Sequence, residues 1–340
     1  MTWYQDMGPK NDMIISTRVR LARNLAGYPF AAKLTKEDGE KIISLVWEAL
    51  APISKDFMLY NIHKLSPVKQ QALIEKHLIS PDLTGGNFPR AAIISRDENI
   101  SIMVNEEDHI RIQCLSPGFA PDNAWEMANR LDDLLGETLD FAFHEKFGYL
   151  TSCPTNTGTG LRISAMLHLP AISVTGRISG LLSQAAKSGM TVRGLYGEGS
   201  DAQGNFYQIS NQITLGFSEE ELIERFNKIV SSVCEVEKTL RKEISKNIPV
   251  KLQDRIMRSY GLMKHAYMIS GKECLNYLSD VRLGIDLGIL SPIPLQKLTS
   301  LMIITMPAMV SGNASLSAEE RDIKRAKIIN ETLFKGVDTL

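Results

Sequence analysis

Apolar residues recur at two different periods along this chain, and the changes of period mark its parts. In "LTKEDGEKIISLVWEAL" (34–50), Ile42, Leu45, Val46 and Ala49 share one helical face, with Thr35 as N-cap and Asp38 three residues on. "SPVKQQALIEKHLIS" (66–80) predicts a second helix with Pro67 in its first turn. The period then drops to two. "AAIIS" and "ISIMV" flank the turn cluster "RDEN", which predicts a β-hairpin. "APDNAWEMANRLDDLLGETLD" (120–140) is helical again, with Trp125, Ala128, Leu131 and Leu135 on one side. Further strands are expected at 190–196 and 205–215, joined by the glycine-rich "GEGSDAQGN".

"SEEELIERFNKIVSSVCEVEKTLRKEISK" (218–246) predicts a long helix opened by a Ser218/Glu221 capping box. Beyond Pro249 every segment reads as helix: about 249–267, 271–288, 293–309 and 317–334. The expected architecture is therefore α+β with antiparallel hairpins over residues 1–245, followed by an all-helical region over 246–340. Extra apolar positions on such a bundle would suit a homodimer.

Composition narrows the class. The 340 residues are 44% hydrophobic and 23% charged, ordinary values for a globular protein. A net charge of -1 argues against a general nucleic-acid binder, so any anion site must be a local arrangement of arginines. No signal peptide is visible in "MTWYQDMGPK", and the longest apolar run, "LMIITMPAMV", is too short to span a bilayer. Cys114, Cys153, Cys234 and Cys274 form no CxxC pair, and reduced thiols in the cytoplasm are expected.

Four stretches could carry chemistry. "STRVRLARN" (16–24) alternates Arg18 and Arg20 with Val19 and Leu21, so in an extended segment the two guanidinium forks project together, as suits phosphate oxygens. In "VNEEDHIRIQ" (104–113), strand alternation puts Glu107, His109, Arg111 and Gln113 on one face and turns Glu106 the other way. "TSCPTNTGTGLRISAMLHLP" (151–170) holds Cys153 before Pro154, two glycines that free the backbone for a ligand, and Arg162. "VRGLYGEGSDAQGNFYQISN" (192–211) offers Arg193 and Glu198 in a glycine-rich segment that reads as a closing loop. Taken singly, a basic surface stretch is the favoured reading of the first segment, while a charged edge strand and a plain hairpin turn are alternatives for the second and fourth.

Together and in this order, the four resemble the phosphagen kinases, the ATP:guanido phosphotransferase family, over roughly residues 15–240. Only about 15 residues precede "STRVR", where phosphagen kinases carry a whole helical domain that helps hold a small guanidino substrate. Tyr196 stands where they have another arginine. The chain adds C-terminal helices and "RDIKRA" (321–326), so it looks like the bacterial protein-arginine kinases.

The resemblance implies an antiparallel phosphagen-kinase-type catalytic domain and a helical domain for dimerisation and regulation. The implied activity is ATP-dependent phosphorylation of arginine side chains in proteins. The alternatives are a kinase for a free guanidino metabolite such as arginine, and a catalytically silent reader of phosphoarginine. Glu107 matches the family's catalytic base, Glu198 a second carboxylate clamp, and Cys153 the active-site cysteine. The implied ATP site comprises Ser16, Thr17, Arg18, Val19, Arg20, His77, Arg111, Arg162, Ile163, Ser164, Ala165, Met166, Arg193, Gly194, Leu195, Tyr196, Gly197 and Glu198. Mg²⁺ is expected to arrive with ATP, with no separate protein metal site. Arg321, Asp322, Ile323, Lys324, Arg325 and Ala326 would form an allosteric phosphoarginine pocket, Arg321 and Arg325 lying on one face to grip a phosphate. Implied partners are proteins with exposed arginines, a zinc-binding activator protein, a heat-shock transcriptional repressor, and the Clp unfoldase and protease that degrade marked proteins.

Overall fold

Period-two alternation builds an eight-stranded antiparallel sheet in which each face is claimed by a different set of side chains. The computed structural model describes residues 2–85, 88–195 and 202–335. The elements in chain order are β1 (Ile14–Arg23), α1 (Lys36–Ala49), β2 (Phe57–Asn61), α2 (Pro67–Glu75), β3 (Ala91–Ser95), β4 (Ile100–Val104), β5 (Ile110–Pro117) and α3 (Pro121–Gly136). A two-residue hairpin, β6 (Phe143–His144) and β7 (Gly148–Tyr149), leads to β8 (Leu161–His168), α4 (Pro170–Val174), α5 (Ile178–Lys187), β9 (Met190–Gly194) and β10 (Phe206–Asn211). Six helices complete the chain: α6 (Glu219–Lys246), α7 (Val250–His265), α8 (Gly271–Asp286), α9 (Leu295–Ile304), α10 (Pro307–Ser311) and α11 (Ala318–Leu333). The main sheet runs β2-β3-β4-β5-β1-β8-β10-β9.

On one face, Val19, Leu21, Ile112, Ile163, Ala165 and Ile209 meet the apolar sides of α1, α3 and α6. Phe226 of α6 is fully buried there, a contribution of about 1.5–3 kcal/mol for a side chain of that kind. On the other face, Ile15, Ala92, Ile94, Met103, Leu115, Met166 and Phe206 share a second core with Trp3, Tyr4, α2 and the C-terminal helices.

The predicted caps are present: Thr35 accepts from the Asp38 N–H, and Ser218/Glu221 form a complete capping box, as do Ser317/Glu320 at the start of α11. The 293–309 segment is two helices, because Met306 before Pro307 is extended. The short α10 begins on the Glu75 carboxylate, which accepts the Ala308 N–H at 2.9 Å and the Met309 N–H at 3.0 Å. The 66–80 helix stops early: His77 adopts φ +59° and turns the chain out of α2.

Cys114, Cys234 and Cys274 are buried, as expected of small hydrophobes, and burial pushes the Cys234 and Cys274 thiols up to about 11. Among the described residues no helix is long and apolar enough to cross a membrane.

Candidate active site

Sheet register sorts the predicted residues. Arg18 sits opposite Leu115 on β5 and Ser164 on β8, and Arg20 sits opposite Gln113 and Arg162. Gln208 of β10 lies opposite Met166 and Arg193. Ser16, Arg18, Arg20, Arg111, Arg162, Ser164, Met166 and Arg193 therefore share one face by alternation. Thr17, Val19, Ile163 and Ala165 do not join them. Their side chains point to the opposite face, where Val19, Ile163 and Ala165 lie in the core and the Thr17 hydroxyl donates to the Gly118 carbonyl at 2.7 Å. The same period-two rule that assembles the site excludes these four.

Two guanidinium groups opposed across neighbouring strands repel each other. Burial and then Arg18, Arg162 and Arg111 pull the Arg20 pKa well below its usual value, while Glu106 opposes them. Burial and then Arg193 and Arg111 lower Arg162, against Cys153 and Glu107. The Nε atoms of both Arg20 and Arg162 are shielded from solvent and have no hydrogen-bond partner among the described residues. Arg18 is steadied by Gln208 Oε1 at 3.1 Å. Such a surface is completed by a multiply charged anion.

His77 reaches the same end of the sheet from α2. It lines one small cavity with Ser16, Arg18, Ser164, Met166 and Gln208, and a neighbouring one with Trp3 and Leu195. Burial and the nearby Arg18 depress its imidazole to about 3, so it is neutral.

Glu107 is not on a strand. β4 ends at Val104 and β5 starts at Ile110, so residues 105–109 form the hairpin turn, entered by Asn105 at φ +60°. The strand alternation expected through this stretch therefore starts only at Ile110. His109 is buried away from Arg111: its Nδ1 accepts the Leu25 N–H at 3.0 Å, and its Nε2 contacts the Pro29 carbonyl at 2.9 Å. Glu106 also departs from expectation. Its Oε2 lies 2.6 Å from Arg111 Nη1, while Glu107 Oε2 lies 2.6 Å from Arg111 Nη2. Glu106 is buried and takes the Ser80 hydroxyl, whereas the Glu107 side chain is 42% exposed at the rim. Glu107 thus already receives a guanidinium.

Asp108, not among the expected site residues, joins the halves of the site. Its Oδ1 accepts from Asn24 Nδ2 and from the Ser152 N–H, both at 2.7 Å, so the Glu107 turn and the Cys153 loop are tied together. Acids adjacent to a predicted catalytic glutamate were the available signal. Cys153 has the extended backbone expected before Pro154, and its Sγ lies 3.0 Å from Thr155 Oγ1. Gly158 and Gly160, expected to admit a ligand, instead admit the chain itself: a Cβ would sit 2.4 Å from the Thr214 carbonyl oxygen and 2.6 Å from that of Ala22, respectively. Gly194 ends β9 and Leu195 follows it. Tyr196, Gly197 and Glu198 lie outside the described residues.

The second predicted site, on α11, is arranged differently from expectation. Arg325 is buried and donates to the carbonyls of Thr305 and Ile269 at 2.8 Å and to Asp322 Oδ1 at 2.5 Å. Ala326 is in the core, Ile323 and Lys324 are exposed, and Arg321 is half-buried with a 3.1 Å bond to the Leu316 carbonyl. Arg325 is thus spent on packing, and the pair does not lie open together.

The ATP:guanido phosphotransferase C-terminal catalytic domain family matches residues 39–240, and the protein-arginine kinase McsB C-terminal domain family matches residues 249–338. The chain is 48% identical to the protein-arginine kinase of Caldanaerobacter subterraneus subsp. tengcongensis over 95% of this chain and 98% of that one. It is 44% identical to that of Bacillus subtilis over 98% of this chain and 93% of that one.

The chain belongs to the protein-arginine kinase family.

It is accordingly an enzyme, a guanidino phosphotransferase. The fold agrees with that family assignment. A lombricine kinase crystal structure superposes with a TM-score of 0.62 at 24% identity, covering 72% of this chain and 73% of that one. A duplicated taurocyamine kinase from Schistosoma mansoni, bound to transition state analog components, gives 0.63 at 24% identity over 76% of this chain and 38% of that one. The matched catalytic family spans α1 to α6 and so includes Glu107, Cys153 and every cleft arginine but Arg18 and Arg20, which β1 contributes from upstream.

Proposed function

We propose that the chain is an ATP-dependent kinase that phosphorylates arginine side chains of proteins. One observation carries the reading: an arginine-lined sheet face, with Arg20 and Arg162 opposed and unpartnered at Nε, ends at a carboxylate that accepts a guanidinium at 2.6 Å. The arginines suit the triphosphate, and Glu107 suits the acceptor.

Arginine is a poor nucleophile because its guanidinium is protonated at any ordinary pH. Glu107 hydrogen-bonds the substrate fork, orients one terminal nitrogen in line with the γ-phosphorus, and accepts the proton that this nitrogen loses. The N–P bond forms as the bond from the γ-phosphorus to the bridging oxygen breaks, and ADP leaves with that oxygen. Arg18, Arg20, Arg111, Arg162 and Arg193 hold the charge that spreads over the phosphoryl oxygens. Mg²⁺ bound to the nucleotide adds positive charge at the phosphates. Cys153, beside Arg162, helps position the guanidinium, and the family resemblance assigns Glu198 the second carboxylate contact. The family resemblance assigns His77 an adenine-nucleotide contact, and Met166 lines the same small cavity.

The same reading makes residues 246–340 the dimerisation and regulatory part, with the surface around Arg321 answering to phosphoarginine. It makes Clp-dependent degradation, a heat-shock repressor and a zinc-binding activator the enzyme's context in the cell.

The test is incubation with ATP and either an arginine-bearing protein or free arginine, with sites mapped by mass spectrometry under non-acidic conditions. Phosphate on protein arginines is expected. Glu107→Gln should lower kcat about 10²–10⁴-fold with nucleotide affinity retained. Phosphate on free arginine alone overturns the proposal.

A further inference from the structure

A cavity of about 970 Å³ opens against Glu107 and shares no wall with the five cleft arginines. Its outer walls are mostly apolar: Phe30, Ala31 and Leu34 from the segment between β1 and α1, and Phe88 from the approach to β3, with the exposed Lys33 at the rim. Glu106, Glu107 and Ser152 close its inner end.

The cavity lies between loops and turns, two of which are tied to α1. The Phe88 ring lies on the bare Cα of Gly39 in α1, where an added Cβ would come within 2.7 Å of it. Asn105, the residue that starts the Glu107 turn, donates its side-chain amide to the Gly39 carbonyl at 2.9 Å and the Pro89 carbonyl at 3.0 Å. The Phe88 wall and the turn that carries Glu107 are therefore both anchored on Gly39 of α1. Arg90, also in the wall, is spent on the carbonyls of Asp82, Gly85 and Asn105. The Ser152 hydroxyl is shielded from solvent and has no hydrogen-bond partner among the described residues, while its N–H is held by Asp108.

These features ask for a particular occupant. The two carboxylates at the inner end share Arg111, so together they still favour a cation over an acid. The apolar walls reward a hydrophobic side chain and penalise an unpaired polar one. A buried, unpartnered hydroxyl suits a main-chain amide or carbonyl. The volume exceeds what the end of one small guanidino molecule fills. Phe30 is 41% exposed, so the described residues leave part of its ring open.

We infer that this cavity is an acceptor-side subsite for polypeptide, seating an apolar side chain next to the target arginine while Ser152 bonds the substrate main chain. The inference rests on the protein-kinase reading above and adds a sequence preference to it. The enzyme selects arginines flanked by residues such as leucine or phenylalanine.

Peptides of equal length and net charge, each with one arginine, test this when the flanking residues are leucine, glycine or aspartate. The leucine peptide should show kcat/KM about tenfold above the glycine peptide, the scale at which a pocket reads an apolar group. Phe30→Ala and Leu34→Ala should each reduce that ratio and leave turnover of the glycine peptide unchanged. Equal values for leucine and glycine overturn the subsite alone. So does a ratio that survives both substitutions, or an aspartate peptide faster than the leucine one. Turnover of free arginine with none of any peptide overturns the protein-kinase reading and the subsite together.

Discussion

Arg20 and Arg162 face each other across β1 and β8 at a cost to the fold, since like charges opposite one another in a sheet destabilise it by about 0.2–1 kcal/mol. Arg20→Met keeps much of the stem and removes one charge. It should raise the urea midpoint slightly while nucleotide binding, followed by calorimetry, falls at least tenfold. A variant that loses both stability and binding would mean that Arg20 is structural. The arginine alternation in "STRVRLARN" made this pair half legible: it put Arg18 and Arg20 on one face, but not which strand would lie opposite. Period two also speaks against Thr17 and Val19 as ligands, as it does against Ile163 and Ala165, and the structure follows the period. Arg23 is the third arginine of that motif and goes to the other face. There it pairs with Asp132 at 2.7 Å and stacks 3.4 Å over the Tyr149 ring centroid.

At the scale of elements, periodicity with caps gave α1, α3, α6 and the C-terminal helices close to where they are, because each buries one stripe. β8 was harder to read. "LRISAMLH" alternates well enough, but it follows a loop rich in glycine and threonine, which obscures where the strand starts. The Glu107 turn differs from the expected strand because the alternation breaks at five consecutive polar residues, Asn105 to His109, where the chain reverses through the φ +60° of Asn105. Helix α11 carries its own prediction. Arg325 links three separate segments, so Arg325→Ala should cost about 3 kcal/mol by leaving their acceptors unpaired, measured by urea denaturation. Arg321→Ala should leave stability within about 0.5 kcal/mol and abolish any response of the kinase to added phosphoarginine. A full response in Arg321→Ala would remove phosphoarginine regulation from this helix.

For the whole molecule, burial lowers the pKa of three histidines, His77, His109 and His168, and His168 additionally faces Arg241 and Arg282. A histidine depressed on folding binds its proton in the unfolded chain first, at about pH 6.5. Stability is therefore complete above that pH and is lost as pH falls below it. The urea midpoint should be lower at pH 5.5 than at pH 7.5, and His168→Gln should make that slope shallower. An unchanged slope would mean that His168 is protonated in the folded protein. None of this was visible in the sequence, because a histidine's burial is decided by residues far away in the chain.

The second core has a consequence in time. Trp3, Tyr4 and Ile15 share it with Leu301, Met302 and Ile303, and the Asn11 carbonyl is taken by Arg282. At roughly 5–20 residues per second of synthesis, nearly 300 residues leave the first apolar side chains uncovered for about 15–60 s. Over that interval the nascent chain offers Trp3 and one face of β1 to whatever else binds apolar surface. A ribosome stalled before α9 should hold a chain whose N-terminus is open to protease, and one released after α9 should not.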